Sequence, residues 1–433
     1  MSKIIGIRRE DKSHWERRVP LIPEDIKKLI DEHNIKVLLQ PSHIRAFPDK
    51  DYIEAGAEVK EDISEASLVF AVKEIPLDFF SPNKTYIFFS HTIKGQTNNM
   101  DMLKRMMEFE CQLIDYEKIA DKNGRRLIFF GRYAGIAGMI DTLWALGKRL
   151  KWEGVKNPFT QIKRAYEYRE IKGAKDHITQ VGKEIIRKGL NDTFLPLLFV
   201  FTGYGNVSGG AQEILDCLPV KKIRPFEIIN LFRDGSSEKV IYKAVFKEGD
   251  MVEHISGEVF DLMNYYAHPS KYCSRFHNYI PYITVLMNCI YWEAKYPRLV
   301  TKANLKRHFR MGATRLRVIG DISCDIEGAV ECTIHSTTPD KPVFVYDPVS
   351  ETSKDGYKGK GPVIMAIDNL PCEIPVESSI YFSETLMKFV PDIIKADFSK
   401  SFEGCNLPDE LKNGVILYKG KLTEKYKYLE KYL

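Results

Sequence analysis

The segment LLFVFTGYGNVSGGAQEIL, residues 197–215, constrains the chain more than any other. An apolar run ends in glycines, and an amphipathic stretch follows at once. That order, a buried strand, a glycine turn and then a helix, gives a G-x-G-x-x-G-like pattern its meaning. Gly203 permits the tight turn, and Gly205 lets backbone approach a pyrophosphate. Ser208 stands where a third glycine is usual, with Gly209 and Gly210 beside it. A helix beginning there offers unpaired N–H groups and the positive end of its dipole to phosphate. The segment therefore predicts a dinucleotide-binding turn in a parallel α/β sheet.

In this arrangement the next strand ends about 20 residues on, at the residue that reads the adenosine ribose. An acid there suits a ribose hydroxyl, and an arginine suits a 2′-phosphate. The stretch PVKKIRPFE, residues 219–227, ends in no acid and carries Lys221, Lys222 and Arg224. This leans toward NADPH, with Arg224 as the reader; Glu227 keeps NADH open.

The first third of the chain alternates short apolar runs with amphipathic stretches. Strands are predicted at 4–7, 35–40, 68–72, 86–89 and 112–116, and helices at 23–33, 49–55 and 98–108. The rhythm implies a second parallel sheet covered by helices on both faces. A long apolar helix is predicted over 134–150, an irregular polar stretch over 151–193, a hairpin or loop over 335–360 and a mostly helical tail over 373–433. Further strands are predicted at 285–290, 317–321 and 363–367. The fold class read from this is α/β: two Rossmann-like domains with parallel sheets and an active site in the interdomain cleft. Residues 1–138 plus 368–433 form a substrate-binding domain, and 139–367 the dinucleotide-binding domain.

Ligands of open parallel sheets bind at the carboxyl ends of the strands. Lys73 closes the run LVFAV, and His91 follows YIFF. Together they make an acid/base pair, with Arg18 suited to gripping a carboxylate through two parallel hydrogen bonds. Read singly, each has an ordinary alternative as a capped strand end, a loop histidine or a surface charge. Gly135 and Gly138 read as close helix packing or as ligand contact. Polar residues after two later strands, at 321–325 and 367–370, fall where a cleft would be.

The 433 residues suffice for two or three domains and a large core. A charged fraction of 28% with a net charge of +5, dispersed along the chain, gives no nucleic-acid signature. No apolar run approaches the roughly 20 residues of a membrane span. Eight cysteines without a C-x-x-C pair exclude zinc-ribbon spacing, and no metal site is expected. Several sit in apolar runs, as in a reducing compartment. The start MSKIIGIRRE has no signal-peptide core. The expected location is cytoplasmic, or the mitochondrial matrix if a transit peptide has been removed.

Taken together, RREDKSHWERRVPLIP, FFSHTIKGQ, DYEKI, GRRLIFFGRYAGIAGM, FTGYGNVSGGAQEI, NCIYWEAKYPRLVT, GDISCDIEG, IDNLPCEIPVESS and KLTEKYKYL resemble one family. It is the lysine–2-oxoglutarate reductase domain, the lysine-forming saccharopine dehydrogenase part of bifunctional aminoadipic semialdehyde synthase. The match spans nearly the whole chain in order. Monofunctional fungal saccharopine dehydrogenases share a sparser version, and ERRVPLIP also resembles alanine dehydrogenase and transhydrogenase. The glutamate-forming domain of the bifunctional enzymes is not among these residues.

The resemblance implies an oxidoreductase of lysine degradation. L-lysine condenses with 2-oxoglutarate, and hydride from NADPH reduces the imine to L-saccharopine. It implies that Lys73 and His91 transfer protons, with Glu117 tuning the pair. Arg18, Gln96, Arg125, Phe130, Ser323, Cys324 and Asp325 match substrate contacts. Asn206, Val207, Tyr291, Ile322, Ile367, Asp368, Asn369 and Leu370 match cofactor contacts, beside Gly203, Gly205, Ser208 and Arg224 of the turn and its following strand. Fungal relatives carry a cysteine where Val207 stands, so no disulfide to Cys289 is expected. Their ribose-binding aspartate falls near Arg224–Glu227, where this chain has none. The rivals are an alanine-type dehydrogenase using ammonia and a catalytically silent NAD(P)H-binding regulator. A homo-oligomer is left open.

Overall fold

The computed structural model describes residues 3–312 and 314–433. The chain divides into two compact units, Met1–Phe130 with Pro375–Leu433, and Gly131–Ile374. Strands β1 (Ile4–Ile7), β2 (Lys36–Leu39), β3 (Glu58–Val59), β4 (Leu68–Phe70), β5 (Thr85–Phe88) and β6 (Gln112–Asp115) open the first unit. The second unit holds β7 (Leu198–Thr202), β8 (Val220–Ile223), β9 (Ile241–Phe246), β10 (Val252–His254), β11 (Tyr272–Ser274), β12 (Val285–Asn288), β13 (Val318–Asp321), β14 (Val343–Asp347), β15 (Thr352–Asp355) and β16 (Val363–Met365). Strands β17 (Val415–Tyr418) and β18 (Lys421–Leu422) belong again to the first.

The first unit is built on the sheet β18-β17-β6-β5-β4-β1-β2-β3. The pairs from β6 through to β3 are parallel; β17 joins β6 antiparallel, and β18 follows it. Strands β4, β5 and β6 are buried at every residue, as expected where crossover helices cover both faces. The helix Pro23–His33 shows its local logic plainly. Proline sits at its first turn with Glu24 and Asp25, and Asn34 ends it in the left-handed conformation. The later helix Pro375–Leu386 is tied to the chain leading into it: Ser379 Oγ accepts from the Val19 N–H and Ser383 Oγ from the Ile22 N–H, both at 3.0 Å. Ser383 in turn donates to the buried Asp25 carboxylate at 2.6 Å.

The second unit is built on the sheet β15-β14-β16-β13-β12-β7-β9-β8. The hairpin β14–β15 is antiparallel and lies in the region read as hairpin or loop; the strands from β16 to β8 are parallel. Both sheets are thus mostly parallel, with antiparallel strands at one edge. Against the core lies the helix Gly131–Trp152, apolar nearly all round and buried along most of its length.

Three expectations differ from the structure. The stretch 151–193 is not irregular, because it contains the 18-residue helix Ile171–Lys188. The tail contributes β17 and β18 as well as helices. The contact boundaries fall at 130/131 and 374/375 rather than at 138/139 and 367/368. Gly135 explains the first shift: a Cβ there would run into the Val207 carbonyl oxygen, so its helix packs with the second unit from its start. Leu370 explains the second, since it lies over Gly138 of the same helix.

Candidate active site

In the first sheet the chain leaves β1 in opposite directions, to β2 on one side and β4 on the other. The carboxyl ends of β1 and β4 therefore flank a topological switch point, where open sheets place their ligands. The loop after β1 brings Glu10, Lys12, Glu16 and Arg18. The turn after β4 brings Lys73 and Glu74, β5 leads to His91, and β6 leads to Glu117.

All of these but Glu117 form one charged cluster; Glu117, beyond β6, sets its charge against Arg126 instead. Glu10 is buried, and its two oxygens accept the Val72 N–H at 2.6 Å and the Lys73 N–H at 2.9 Å, pinning the turn that carries Lys73. Burial, with the charge of Glu16, pushes the Glu10 carboxyl up to about 7. Burial also holds the Lys73 ammonium below the ordinary lysine range, helped by Arg18 and Lys12. His91 Nδ1 lies 2.6 Å from Glu74 Oε1, and Lys12 Nζ donates to both Glu74 oxygens at 3.0 Å. Burial pushes the Glu74 carboxyl up. The hydrogen bond and charge of His91, together with Lys12, outweigh it and bring the group down to about 2. His91 has φ +48°, an uncommon conformation outside glycine, and its carbonyl accepts from Asn99 Nδ2 at 3.1 Å. Buried Asp115 steadies both flanking loops, accepting from the Ser90 hydroxyl, the Ser90 N–H at 3.0 Å and the Glu117 N–H at 2.7 Å.

An aromatic wall backs the cluster. Phe89 stacks on the His91 ring, Phe130 stacks on Phe382 at 4.6 Å, and Tyr116 meets both Phe89 and Phe382 edge-on. The Arg18 guanidinium lies 4.3 Å from the Phe130 ring centre. It is almost wholly buried and donates to both Glu16 oxygens, from Nε at 2.8 Å and Nη2 at 2.6 Å. Arg125 is exposed and paired with Asp121 at 3.1 Å. Its neighbour Arg126 is the one turned inward, 5.2 Å from the Phe89 ring centre. Gln96 precedes the helix Thr97–Glu108 and accepts from the Lys94 N–H at 3.0 Å.

In the second unit the switch point lies between β7 and β12, and the glycine turn leaves β7 there. Gly203 has φ +85°, which favours glycine. Gly205 caps the helix Asn206–Leu215, whose first turn has no side-chain cap. A Cβ at Gly205 or Gly209 would meet nothing within 4 Å, so open space borders the start of this helix. Glycine at these positions, next to uncapped N–H groups, fits a dinucleotide pyrophosphate. Gly210 has a different task, since a Cβ there would run into the Arg132 carbonyl oxygen. It takes the close-packing part that the pattern assigns to a third glycine. Ser208 is fully buried and accepts from Gln212 Nε2 at 3.0 Å.

Below the turn a polar chain crosses the strand ends. Thr202 Oγ1 donates to Asn288 Oδ1 at 3.1 Å, Asn288 Nδ2 to Asp321 Oδ1 at 2.8 Å, and Thr333 Oγ1 to Asp321 Oδ2 at 2.5 Å. Burial pushes the Asp321 carboxyl up to about 6. Cys324 follows with φ +53°, its N–H 3.3 Å from Asp321 Oδ1, and Ser323 Oγ donates to the Ile290 carbonyl at 2.5 Å. Among the described residues no three His, Cys, Asp or Glu side chains are grouped to hold a metal ion, and no helix is long and apolar enough to cross a membrane.

The family model described as "Alanine dehydrogenase/PNT, N-terminal domain" matches residues 6–137, and "Alanine dehydrogenase/PNT, C-terminal domain" matches residues 276–425. The two models together account for more than half of the chain. The chain belongs to the alanine dehydrogenase/PNT family. It is 39% identical over 99% of its length to alpha-aminoadipic semialdehyde synthase, mitochondrial, of Bos taurus, and 37% identical over 98% to alpha-aminoadipic semialdehyde synthase of Arabidopsis thaliana. It covers 48% and 41% of those relatives, so it spans about half or less of their length. A solved L-alanine dehydrogenase shares the fold, with a TM-score of 0.63 at 17% identity over 99% of this chain and 98% of that one.

Within this family member the predicted residues fall into three groups. Lys73, His91, Arg18 and Phe130 belong to the cluster at the first switch point or its wall, and Glu117 follows β6 and acts on Arg126. Gly203, Gly205, Asn206, Val207 and Ser208 form the glycine turn and the helix start. Ser323, Cys324 and Asp325 follow β13. The remaining residues are placed otherwise. Ile322 and Leu370 are buried over Gly138, Ile367 is buried, and Asp368 and Tyr291 are exposed. Tyr291 donates to Glu293 at 3.0 Å. Asn369 is half-buried just before Leu370. Cys289 is a buried free thiol, as its place in VLMNCIYW suggests. Sequence reasoning missed Glu10, Glu74 and Arg126. Glu10 and Glu74 each sit beside a basic residue and read as surface charge, and Arg126 follows an identical arginine.

Proposed function

We propose that this chain reductively condenses L-lysine with 2-oxoglutarate to L-saccharopine, with NADPH as the reductant. The observation that carries the reading is the Lys73–Glu74–His91 cluster in a chain 39% identical, over 99% of its length, to an alpha-aminoadipic semialdehyde synthase. When bound, the reduced nicotinamide supplies the hydride.

The chain's own part is proton movement, grip and exclusion of water. Ionised Glu74 accepts only, so His91 Nδ1 donates to it and His91 Nε2 is the nitrogen that takes and returns protons. Lys73, held below the usual range by burial, exchanges a proton at Nζ nearer neutral pH than an exposed lysine does. Glu117 sets its negative charge against Arg126, which lies over Phe89. Both substrates are carboxylates, and Arg126 and Arg18 supply the planar donors that match them. Phe89, Phe130, Phe382 and Tyr116 keep water from an imine formed against them. The glycine turn and Asn206, Val207 and Ser208 are the residues for the pyrophosphate, and Ser323, Cys324 and Asp325 follow β13 of the same sheet. The Bos taurus relative is named mitochondrial, which supports the mitochondrial matrix as the compartment.

The test is NADPH oxidation by the purified chain. Turnover is expected only with L-lysine and 2-oxoglutarate together, and Lys73→Met or His91→Gln is expected to abolish it. Turnover with pyruvate and ammonia instead would assign an alanine-type reaction. NADPH binding without turnover on any amine and oxoacid would assign a silent binding protein.

A further inference from the structure

In an open parallel sheet the adenosine ribose of a bound dinucleotide lies at the carboxyl end of the strand beside the one that leads into the glycine turn. Here the strand beside β7 is β9; β8, although next in sequence, is at the sheet edge. Arg224 follows β8 and so lies one strand further out, about 5 Å. Its guanidinium is already engaged by Glu227 at 3.1 and 3.2 Å. The sequence expectation rested on the following strand being the neighbouring one, and the sheet order moves the position.

Lys247 is the first residue beyond β9. The register pairs Thr202 with Phe246, and the Gly203 N–H donates to the Phe246 carbonyl at 3.0 Å, so Lys247 stands level with the turn. Its ammonium lies 5.5 Å from the ring centre of Tyr204, the residue between the two glycines. It is exposed and makes no ion pair among the described residues. The adjacent acid, Glu248, is already satisfied: its Oε1 accepts from the Tyr266 hydroxyl at 2.9 Å and, at the turn itself, from the Tyr204 hydroxyl at 3.5 Å. A compact cation beside the turn, with its neighbouring carboxylate held by two phenols, suits a dianionic phosphate better than a ribose diol.

We propose that Lys247 reads the 2′-phosphate of the dinucleotide and so sets the preference for NADPH over NADH. The proposal rests on the dinucleotide reading of the glycine turn. It is tested on the full chain by calorimetric titration with two adenosine fragments, 2′,5′-ADP and 5′-ADP, which needs no substrate and no turnover. The wild-type chain is expected to bind 2′,5′-ADP about tenfold or more tightly than 5′-ADP. Lys247→Gln is expected to remove that difference while leaving 5′-ADP within about twofold, and Arg224→Gln to leave the difference intact. A Lys247→Gln chain that keeps the preference, or an Arg224→Gln chain that loses it, overturns the proposal. So does a wild-type chain that favours 5′-ADP and is weakened by Glu248→Gln, since the acid would then be the reader. If neither fragment binds, the dinucleotide reading of the turn itself falls, and the proposal with it.

Discussion

His91 Nδ1 and Glu74 Oε1 lie 2.6 Å apart, in a chain where Lys12 donates to both oxygens of the same carboxylate. Because Glu74 is brought down to about 2, it is an acceptor throughout the working pH range, and the proton between the two belongs to the ring. The contact thus fixes which histidine nitrogen faces the chemistry.

Glu74→Gln keeps an acceptor for Nδ1 but removes the charge. It is expected to lower kcat/KM about tenfold at neutral pH. Glu74→Ala, which frees the tautomer as well, is expected to cost about 100-fold or more. Steady-state kinetics of the two variants check the order; equal losses would mean that only charge matters.

The buried acids give stability two opposite pH dependences. Glu74 is lowered in the folded chain, so its contribution is present above about pH 4.5 and is lost as pH falls toward 2, about 2–3 kcal/mol at most. Glu10 and Asp321 are raised, to about 7 and about 6. The folded state then binds more protons than the unfolded, and stability falls as pH rises from about 4 to 7. Thermal melts across pH are expected to show the second slope flattened in Glu10→Gln and Asp321→Asn, and the acid-side loss reduced in Glu74→Gln.

Two glycines in the same motif are expected to fail differently. Gly210→Ala drives a methyl into the Arg132 carbonyl and is expected to cost about 3 kcal/mol or more in urea unfolding. Gly205→Ala meets open space at an ordinary φ of −80°. It is expected to fold within about 1 kcal/mol of wild type while weakening nucleotide binding about tenfold or more, because the methyl fills the space left for phosphate.

How far the sequence reaches is clearest at these elements. The glycine turn was legible because strand, turn and helix are contiguous, and the helix Pro23–His33 because proline, two acids and a closing asparagine mark its ends. The helix Ile171–Lys188 was hidden by its lysine-rich face, although Ala174, Ile178, Val181 and Ile185 keep helical spacing. Strand β17 pairs with β6, about three hundred residues away, and no local pattern announces that. The exchange of β8 and β9 is a matter of crossover path, which the order of strands in the chain does not reveal. Glu10 acts through two backbone N–H groups far along the chain, and a solvated acid looks the same in sequence.

Arg125 and Arg126 separate the two faces of one turn. Arg126→Gln is expected to raise KM for the oxoacid about tenfold or more, and Arg125→Gln to leave it within about twofold. The reverse result would mean that the exposed arginine, not the one over Phe89, meets the substrate.

The most direct measurement is the mass of the product formed from 2-oxoglutarate, NADPH and lysine labelled with heavy nitrogen at the ε-position. The proposed chemistry predicts saccharopine that keeps the label in its bridging secondary amine. Unlabelled glutamate formed only once free ammonia is added to the same mixture, or no product while NADPH binds, would contradict it.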